Sequence, residues 1–437
     1  NVIKVIWGSE WDSLFSIDHN DVMQRRMDEV VDGEYQMYSV SSGENQREHW
    51  IKGDKELESI MSNLSDEELK DIKRGGFDHK KLYAAFDNAM KSKGKPTVLL
   101  VKTLKGYGLG EGSEGRNIAH QKKTMSDDER IEIAERLGIP LSDEDRKLAK
   151  FYVPDPNSEE MQYLHSRRKE LGGYQPIRFN SCEKLKAPDI ELFDDFVNGI
   201  DRSISTTLVL VRMISKMLRE EDIGKYIVPI VPDEARTFGM DGLFSQTGIY
   251  SPEGQNYQPV DAGTISPYKE AKDGQVLQEG ICEAGAMASF MAAGTAYSHF
   301  ELPMIPFYIF YSIFGFQRVG DMIWACGDAL TRGFLIGGTA GRTTLNGEGV
   351  QHQDGHSHVL ASVVPNLMTY DPAFGFELAV IVREGIRRMY QEQEDIFYYI
   401  TVYNENYTHP PINDVTHESI LKGMYCFKRA AKDLEDK

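Results

Sequence analysis

Two parts of the sequence hold residue types that could carry out acid–base chemistry. The first is residues 338–358, which contain three histidines, two acids and five glycines and follow neither helical nor strand periodicity. A polar, glycine-rich loop between apolar segments is a common place for a binding or catalytic site. The residues of this loop that could do chemistry are His352, His356, His358, Glu348 and Asp354.

The second part is the surroundings of Glu283, which lies in a predicted helix over residues 278–297 that is rich in alanine and glycine. An apolar neighbourhood disfavours the charged form of a carboxylate, so this acid could share a proton with a ligand nitrogen. The alternative is a glutamate on the solvated face of an amphipathic helix, which is the more common case on composition alone.

The three histidines of the first loop also allow a metal site. Neutral imidazoles with Asp354 nearby could bind zinc or iron. Their spacing matches neither HExxH nor a zinc finger, and histidines can donate protons or bind an anionic substrate without a metal. A metal-dependent hydrolase is therefore an alternative function, and no residue is assigned as a metal ligand.

Two predicted strands end in residues that could contact a ligand. Asp233 and Glu234 follow a strand at residues 226–231, where they could bind a ligand or cap the next helix, and the cap is favoured. Tyr311 and Phe314 end an aromatic strand at residues 304–311 and could stack on a flat heterocycle. Aromatic pairs nevertheless belong more often to the core.

In the first part of the chain, a glycine-rich loop follows the strand predicted at residues 97–101. No apolar helix begins after its third glycine, which argues against a dinucleotide-binding fingerprint. Residues of about 106–126 are predicted to form a mobile active-site loop, with a flexible surface connection as the alternative. Lys105, Glu114 and His120 are the residues here that could do chemistry.

The alternation of strands and helices predicts an α/β fold with mostly parallel sheets flanked by helices and ligands near the carboxyl ends of the strands. Asp78 is predicted to cap a helix over residues 78–91, and another helix is predicted over residues 203–218. The length of 437 residues suits about two to three domains. Turn and linker signals predict a domain boundary between residues 141 and 188.

Composition argues against several classes of protein. The net charge of −19 disfavours nucleic acid or an anionic membrane as the main partner. The longest apolar run, around residues 302–316, is too short to span a bilayer, and no signal peptide opens the sequence. The four cysteines are widely separated and form no CxxC pair, which favours free thiols in a cytoplasmic protein.

Five long segments carry a resemblance to a known family. They are residues 102–121, 231–252, 277–286, 304–318 and 337–358, and they closely resemble the homodimeric E1 component of bacterial pyruvate dehydrogenase complexes. The resemblance implies two domains of the thiamin-diphosphate-binding type, with the later part of the diphosphate-binding domain at 1–185 and the pyrimidine-binding domain at 186–415. Residues 416–437 are then the start of a connection to a C-terminal domain. The resemblance also implies a homodimer that decarboxylates pyruvate and reductively acetylates the lipoyl group of the E2 acyltransferase.

The resemblance gives the candidate residues of the second domain roles around the thiamin ring. Glu283 matches the catalytic glutamate that hydrogen-bonds the aminopyrimidine and promotes its imino tautomer. Side chains implied to line or lie near the pyrimidine pocket are Tyr311, Phe314, Ile281, Asp233 and Glu234.

The remaining candidates are implied to act on the substrate or on acetyl transfer. His352 and Lys105 match groups that face the substrate carboxylate or the covalent adduct. His120, on the same loop as Glu114, matches a histidine linked to reductive acetylation, and Glu348 is a supporting site residue.

One motif of the family is absent from the sequence. The family binds magnesium and diphosphate through a GDG motif with an asparagine downstream, whose oxygen ligands suit a hard cation. The GD pairs at Gly53, Gly320 and Gly327 lack the third glycine. The Mg²⁺ ligands are therefore expected upstream of Asn1, and the C-terminal domain is expected to be missing. A chain that binds the cofactor poorly is expected, and a non-enzymatic dimerising or E2-contacting piece is a third alternative.

Overall fold

The computed structural model describes residues 1–73, 75–174, 178–233, 235–260, 268–341, 349–413 and 415–430. The chain forms two compact units, Asn1–Gly173 and Tyr174–Lys437. Their identity with the predicted cofactor-binding domains, and the connecting role of residues 416–437, stay predictions. None of the described helices has both the length and the apolar composition needed to cross a membrane.

The first unit contains one small parallel sheet among its described residues. Strands β1 (Val2–Val5) and β2 (Val98–Val101) pair in parallel, with Val2 beside Val98. The unit is otherwise helical in its regular structure. Its helices are α1 (Glu10–Ile17), α2 (Val22–Glu29), α3 (Asp32–Val40), α4 (Gly43–Gln46), α5 (Lys55–Ile60), α6 (Asp66–Asp71), α7 (His79–Lys91), α8 (Asp127–Arg136), α9 (Asp143–Lys147) and α10 (Glu159–Glu170).

The second unit is built on a larger parallel sheet. Its strands are β3 (Ile200–Ile204), β4 (Ile227–Val231), β5 (Ile249–Tyr250), β6 (Glu270–Ala271), β7 (Leu277–Gln278), β8 (Ile305–Tyr311), β9 (Phe334–Gly338), β10 (Leu367–Tyr370), β11 (Phe397–Thr401) and β12 (Tyr407–His409). Six of them form one sheet in the order β10, β11, β9, β8, β4, β7, and every pair of neighbours in it is parallel. Strands β4, β9 and β11 are buried along their whole length, as expected of a sheet that is covered on both faces.

Helices flank this sheet, so the predicted α/β fold is confirmed. Helix α14 packs against β4 and β8, and it also contacts α16. The helices of the second unit are α11 (Asp194–Val197), α12 (Thr206–Met217), α13 (Asp241–Gln246), α14 (Glu283–Gly294), α15 (Ala296–Phe300), α16 (Ser312–Asp328), α17 (Ser357–Ala361), α18 (Gly375–Ile386) and α19 (His417–Leu421).

Two predicted helices begin later than the sequence suggested. The helix expected from residue 278 begins at Glu283, because Leu277 and Gln278 pair with β4 and the backbone turns before Cys282 caps the helix. The helix expected from residue 203 begins at Thr206, because residues up to Ile204 pair with β12. In both cases a partner strand distant in sequence overrides local helical preference.

The predicted cap of α7 is confirmed, and it also ties this helix to the start of α1. The Asp78 carboxylate accepts hydrogen bonds from the Lys81 amide at 3.0 Å and from the Ser9 amide at 2.6 Å. The hydrogen bond from the Ser9 hydroxyl, together with these amide donors, holds the pKa of Asp78 well below its usual range, despite the opposing effect of burial.

Replacing Asp78 with alanine is expected to lower the free energy of unfolding of the first unit by about 1–2 kcal/mol at about pH 7, because a helix cap and a buried acceptor are lost. A native pKa below the unfolded value gives stability that is present above about pH 4 and is lost as the pH falls towards the native pKa. Urea unfolding followed by tryptophan fluorescence should therefore show that the difference in free energy of unfolding between wild type and Asp78→Ala becomes smaller as the pH falls.

The matched control is Asp87→Ala on the same helix, where an exposed i,i+4 pair with Lys91 is removed. Its effect is expected to stay within about 0.5 kcal/mol. Two results would contradict the capping role: an equal loss of unfolding free energy in both variants, or a loss in Asp78→Ala that does not change with pH.

Candidate functional site

Glu283 is the first residue of α14, just beyond the carboxyl end of β7. The Cys282 thiol caps the helix by accepting a hydrogen bond from the Gly285 amide at 3.3 Å. The Tyr308 hydroxyl, on β8, donates to the Glu283 carbonyl at 3.3 Å. The Glu283 side chain is only 13% exposed. The helix N-terminus favours a negative charge at this position.

The surroundings of Glu283 are less apolar than the sequence predicted, because Arg318 lies beside it. Arg318 Nη1 forms an ion pair with Glu283 Oε1. The Arg318 guanidinium also lies over the ring of Phe314, 4.0 Å from the ring centroid. Arg318 and Phe314 are one helical turn apart on α16, so both reach the same side of that helix. The second carboxylate oxygen of Glu283 accepts no hydrogen bond from any described residue.

Aromatic side chains form a wall next to this ion pair. Tyr311 ends β8, and its ring centroid lies 5.8 Å from that of Phe314 in an edge-to-face arrangement. His352, at the end of a short 3₁₀ turn (Val350–His352), lies 4.7 Å from Tyr311 and 5.3 Å from Phe314. The predicted candidates Tyr311, Phe314 and His352 are therefore in mutual contact.

A glycine in the neighbouring strand allows this wall to extend. Tyr311 and Gly338 are partners across β8 and β9. The Phe238 ring packs against Tyr311 at 5.4 Å between centroids, and a Cβ on Gly338 would come within 2.5 Å of that ring. A side chain at position 338 would therefore displace Phe238 from the cluster.

Asp233, which follows β4, does not cap a helix, contrary to the favoured interpretation. The next helix, α13, begins at Asp241 and is preceded by Met240. Asp233 instead accepts a hydrogen bond from the Gln278 side chain at 2.6 Å, which links the ends of β4 and β7. Ile281 is exposed, and Glu234 and Glu348 lie outside the described residues.

The histidines of the 338–358 loop separate into different surroundings. His356 is exposed, whereas His358 is half-buried and its Nε2 contacts the Thr401 hydroxyl at 2.9 Å. Burial lowers the pKa of His358, which favours a neutral ring in a structural role. Within the described part of the chain, no group of three or more His, Cys, Asp or Glu side chains could hold a metal ion.

In the first unit, Lys105 and His120 form a polar pair. The Lys105 ammonium lies 2.5 Å from His120 Nδ1. Glu114 accepts from the Gly108 amide at 3.0 Å and pairs with Arg136 of α8 at 2.7 Å. Stacking of Tyr107 on Phe77, with 3.5 Å between centroids, also anchors this loop.

Two arginines that form ion pairs with candidate residues, Arg318 with Glu283 and Arg136 with Glu114, were not predicted from the sequence. Arg318 sits four residues after Phe314, and that spacing on a helix could have indicated it. Arg136 lies 22 residues after Glu114 and carried no local signal.

Comparison with known proteins places the chain in a family. The sequence profile of the pyruvate dehydrogenase E1 component middle domain matches residues 188–410, which is about half of the chain. The chain belongs to the pyruvate dehydrogenase E1 component family. The matched range contains Glu283, Arg318 and the aromatic wall.

Curated relatives extend the likeness to nearly the whole chain. The pyruvate dehydrogenase E1 component of Pseudomonas aeruginosa is 53% identical over 434 residues, which cover 99% of this chain and 49% of the relative. The one from Escherichia coli K12 is 50% identical over 427 residues, covering 97% of this chain and 48% of the relative. The chain therefore spans about half the length of these relatives.

Solved structures support the fold independently. A transketolase variant from Pichia stipitis overlays with a TM-score of 0.54 at 16% identity, covering 82% of this chain and 49% of that chain. A transketolase from Campylobacter jejuni overlays with a TM-score of 0.50, also at 16% identity, covering 75% of this chain and 45% of that one. At this identity the likeness establishes the shared fold.

Removing Arg318 tests the ion pair that orients Glu283. Arg318→Gln is expected to lower the free energy of unfolding of the second unit by about 1 kcal/mol, a modest value because the arginine side chain is 45% exposed and solvent screens the pair. A double-mutant cycle with Glu283→Gln, measured by urea unfolding, should give a coupling energy of about 0.5–1 kcal/mol.

The control for this cycle is Arg318→Lys, which keeps the charge but loses the planar group over Phe314. It should recover part of the coupling with Glu283. A coupling energy near zero, or unchanged hydrogen exchange of the first α14 amides in Arg318→Gln, would contradict a role in holding the carboxylate.

Proposed function

We propose that this chain is part of a thiamin-diphosphate-dependent pyruvate dehydrogenase E1, and that its second unit holds the aminopyrimidine ring of the cofactor against Glu283. The observation that carries the proposal is the arrangement of that carboxylate. Arg318 holds one carboxylate oxygen, and the other accepts no hydrogen bond from any described residue. The Tyr311 and Phe314 rings lie next to this ion pair.

The residues fit the ring by their chemistry. An aminopyrimidine is flat, with ring nitrogens that can share a proton with an acid, and it needs an apolar surface for its faces. Phe314 and Tyr311 supply that surface, and Glu283 supplies the acid at the carboxyl edge of the sheet, where ligands of parallel α/β folds bind. Ile281, Asp233 and Glu234 are proposed to complete the pocket.

Thiamin diphosphate, when bound, supplies a nucleophilic thiazolium carbon and takes up the electrons released by decarboxylation of a 2-oxo acid. Glu283 holds and returns a proton at the pyrimidine nitrogen through its second oxygen. Arg318 fixes the first oxygen, so that the carboxylate cannot rotate away. The half-buried position of Glu283 excludes most water from this exchange.

The substrate and the later steps are assigned to the remaining candidates. His352 lies against Tyr311 and Phe314 and could offer a proton or a hydrogen bond to the pyruvate carboxylate. Lys105 and His120 of the first unit are proposed to serve the substrate and the lipoyl group of E2, with Glu114 and Glu348 in supporting roles. A homodimer in the cytoplasm, with Mg²⁺ on the diphosphate, completes the proposal.

The role of Glu283 is tested in a chimaera in which these 437 residues replace the matching part of the Escherichia coli relative. Glu283→Gln should lower pyruvate-dependent reduction of an artificial electron acceptor by at least about 100-fold, because a positioned acid–base group contributes roughly 10²–10⁴. The matched control is Glu279→Gln, an exposed acid four residues away, which should change the rate less than about threefold.

Full activity of Glu283→Gln in an active chimaera would overturn the proposed mechanism. An inactive parent chimaera that still carries native secondary structure would instead favour the non-enzymatic alternative, a dimerising or E2-contacting piece. Metal-dependent hydrolase activity is separable, because it would survive Glu283→Gln and be lost on chelation.

The 437-residue chain by itself is expected to bind thiamin diphosphate weakly, because its sequence has no GDG motif for the metal and diphosphate. Titration calorimetry with cofactor and Mg²⁺ measures this directly. A dissociation constant below about 1 μM would show that residues of this chain replace that motif. Buffer and Mg²⁺ titrated without cofactor give the baseline.

A further inference from the structure

A cationic cleft lies in the second unit, lined by residues that do not belong to the Glu283 cluster. Its volume is about 420 Å³, and its basic lining residues are Arg202, Arg212, Lys216 and Arg219. We refer to it as the arginine cleft. Its volume lies in the range of small-molecule sites, roughly 300–1,000 Å³.

Two elements bring these cations together. Helix α12 carries Arg212 and Lys216 four residues apart on one face, and Arg219 lies in the turn that follows the last residue of the helix, Met217. Arg202 reaches the same cleft from β3. The opposite face of α12 is buried in the core, so this face is left to the cleft.

Most of this positive charge has no internal counter-ion. The one acidic residue that lines the cleft, Asp195, already pairs with Lys216 at 2.7 Å. Arg202 and Arg212 form no hydrogen bond or ion pair with any described residue, and Arg219 reaches only the Ser215 hydroxyl at 3.5 Å. Three arginines without an acidic partner among the described residues therefore line one cleft, in a chain whose net charge is −19.

Like charges gathered in one cleft repel one another, and a bound anion relieves that repulsion. Guanidinium groups match phosphate oxygens through paired hydrogen bonds, and three of them exceed what a single carboxylate can satisfy. Phe196 and Ile200 add an apolar wall to the same cleft. The site is concave and small, which suits a compact ligand better than an extended protein segment.

We propose that the arginine cleft binds a small organic molecule that carries a diphosphate or triphosphate group. The phosphates lie among Arg202, Arg212 and Arg219, and the organic part rests on Ile200, since the Phe196 ring is buried beneath the Lys216 ammonium. Binding here is separate from the thiamin site, since no residue of the Glu283 cluster lines the cleft.

The test uses the 437-residue chain with inorganic pyrophosphate as the probe, titrated by calorimetry at low and high salt. Wild type should bind, and the affinity should fall as salt rises. Arg212→Gln/Arg219→Gln should weaken binding by at least about tenfold, because two charged donors are lost. The matched control, Lys184→Gln/Lys225→Gln, removes the same charge elsewhere in the unit and should bind as wild type does.

One further variant separates the possible outcomes. Arg202→Gln changes an exposed strand residue, so it reports on the cleft even if the Arg212→Gln/Arg219→Gln variant fails to fold. No binding to wild type at about 10 mM, or equal binding to all variants, would overturn the proposal. A poly-glutamate peptide that binds the wild type more tightly than pyrophosphate does, and that no longer binds Arg202→Gln, would assign the cleft to an acidic protein partner instead.

Discussion

The half-buried carboxylate of Glu283 sets the main constraint on the second unit. A charged group with little access to water needs a counter-charge or a hydrogen-bond donor, and the Arg318 guanidinium supplies both. This pair requires α14 and α16 to lie side by side, with the N-terminus of one facing the first half of the other. The helical geometry breaks at Val319, directly after Arg318, so the segment that carries Tyr311, Phe314 and Arg318 can be oriented by the site while the rest of α16 follows the sheet.

The parallel sheet then decides which other residues meet this pair. All six strands point the same way, so their carboxyl ends and the loops after them gather at one edge. Tyr311 and the Gly338 loop come together because β8 and β9 are neighbours, although 27 residues separate them in sequence. Glycine occupies two positions where aromatic rings pack closely against the backbone. A side chain at Gly338 would clash with Phe238, and one at Gly315 would clash with Phe310.

Strands β4 and β8 of this core were predicted to within one residue, at 226–231 and 304–311, because continuous apolar runs are read directly from the sequence. Strands β7 and β10 were not predicted. Helix starts at 206 and 283 were not predicted either, since the preceding residues are claimed by strand pairing with β12 and β4. The candidate residues Glu283, Tyr311, Phe314 and His352 were predicted mainly from the family resemblance, and their roles stay predictions. The ion pair that holds Glu283 joins residues 35 positions apart, and no local pattern encodes it.

The histidine loop shows why closeness in sequence does not amount to one site. Asp354 is buried, and although burial acts in the other direction, hydrogen bonds from Ser357 and from the His356 amide lower its pKa. It therefore stays charged and fixes the turn between His352 and His358. On one side of that turn His352 meets the aromatic wall, and on the other His358 packs against Tyr399 and Thr401 in the interior. A metal would need the imidazoles to converge, whereas the charged turn holds them apart, so the same loop supplies one ring to the site and another to the core.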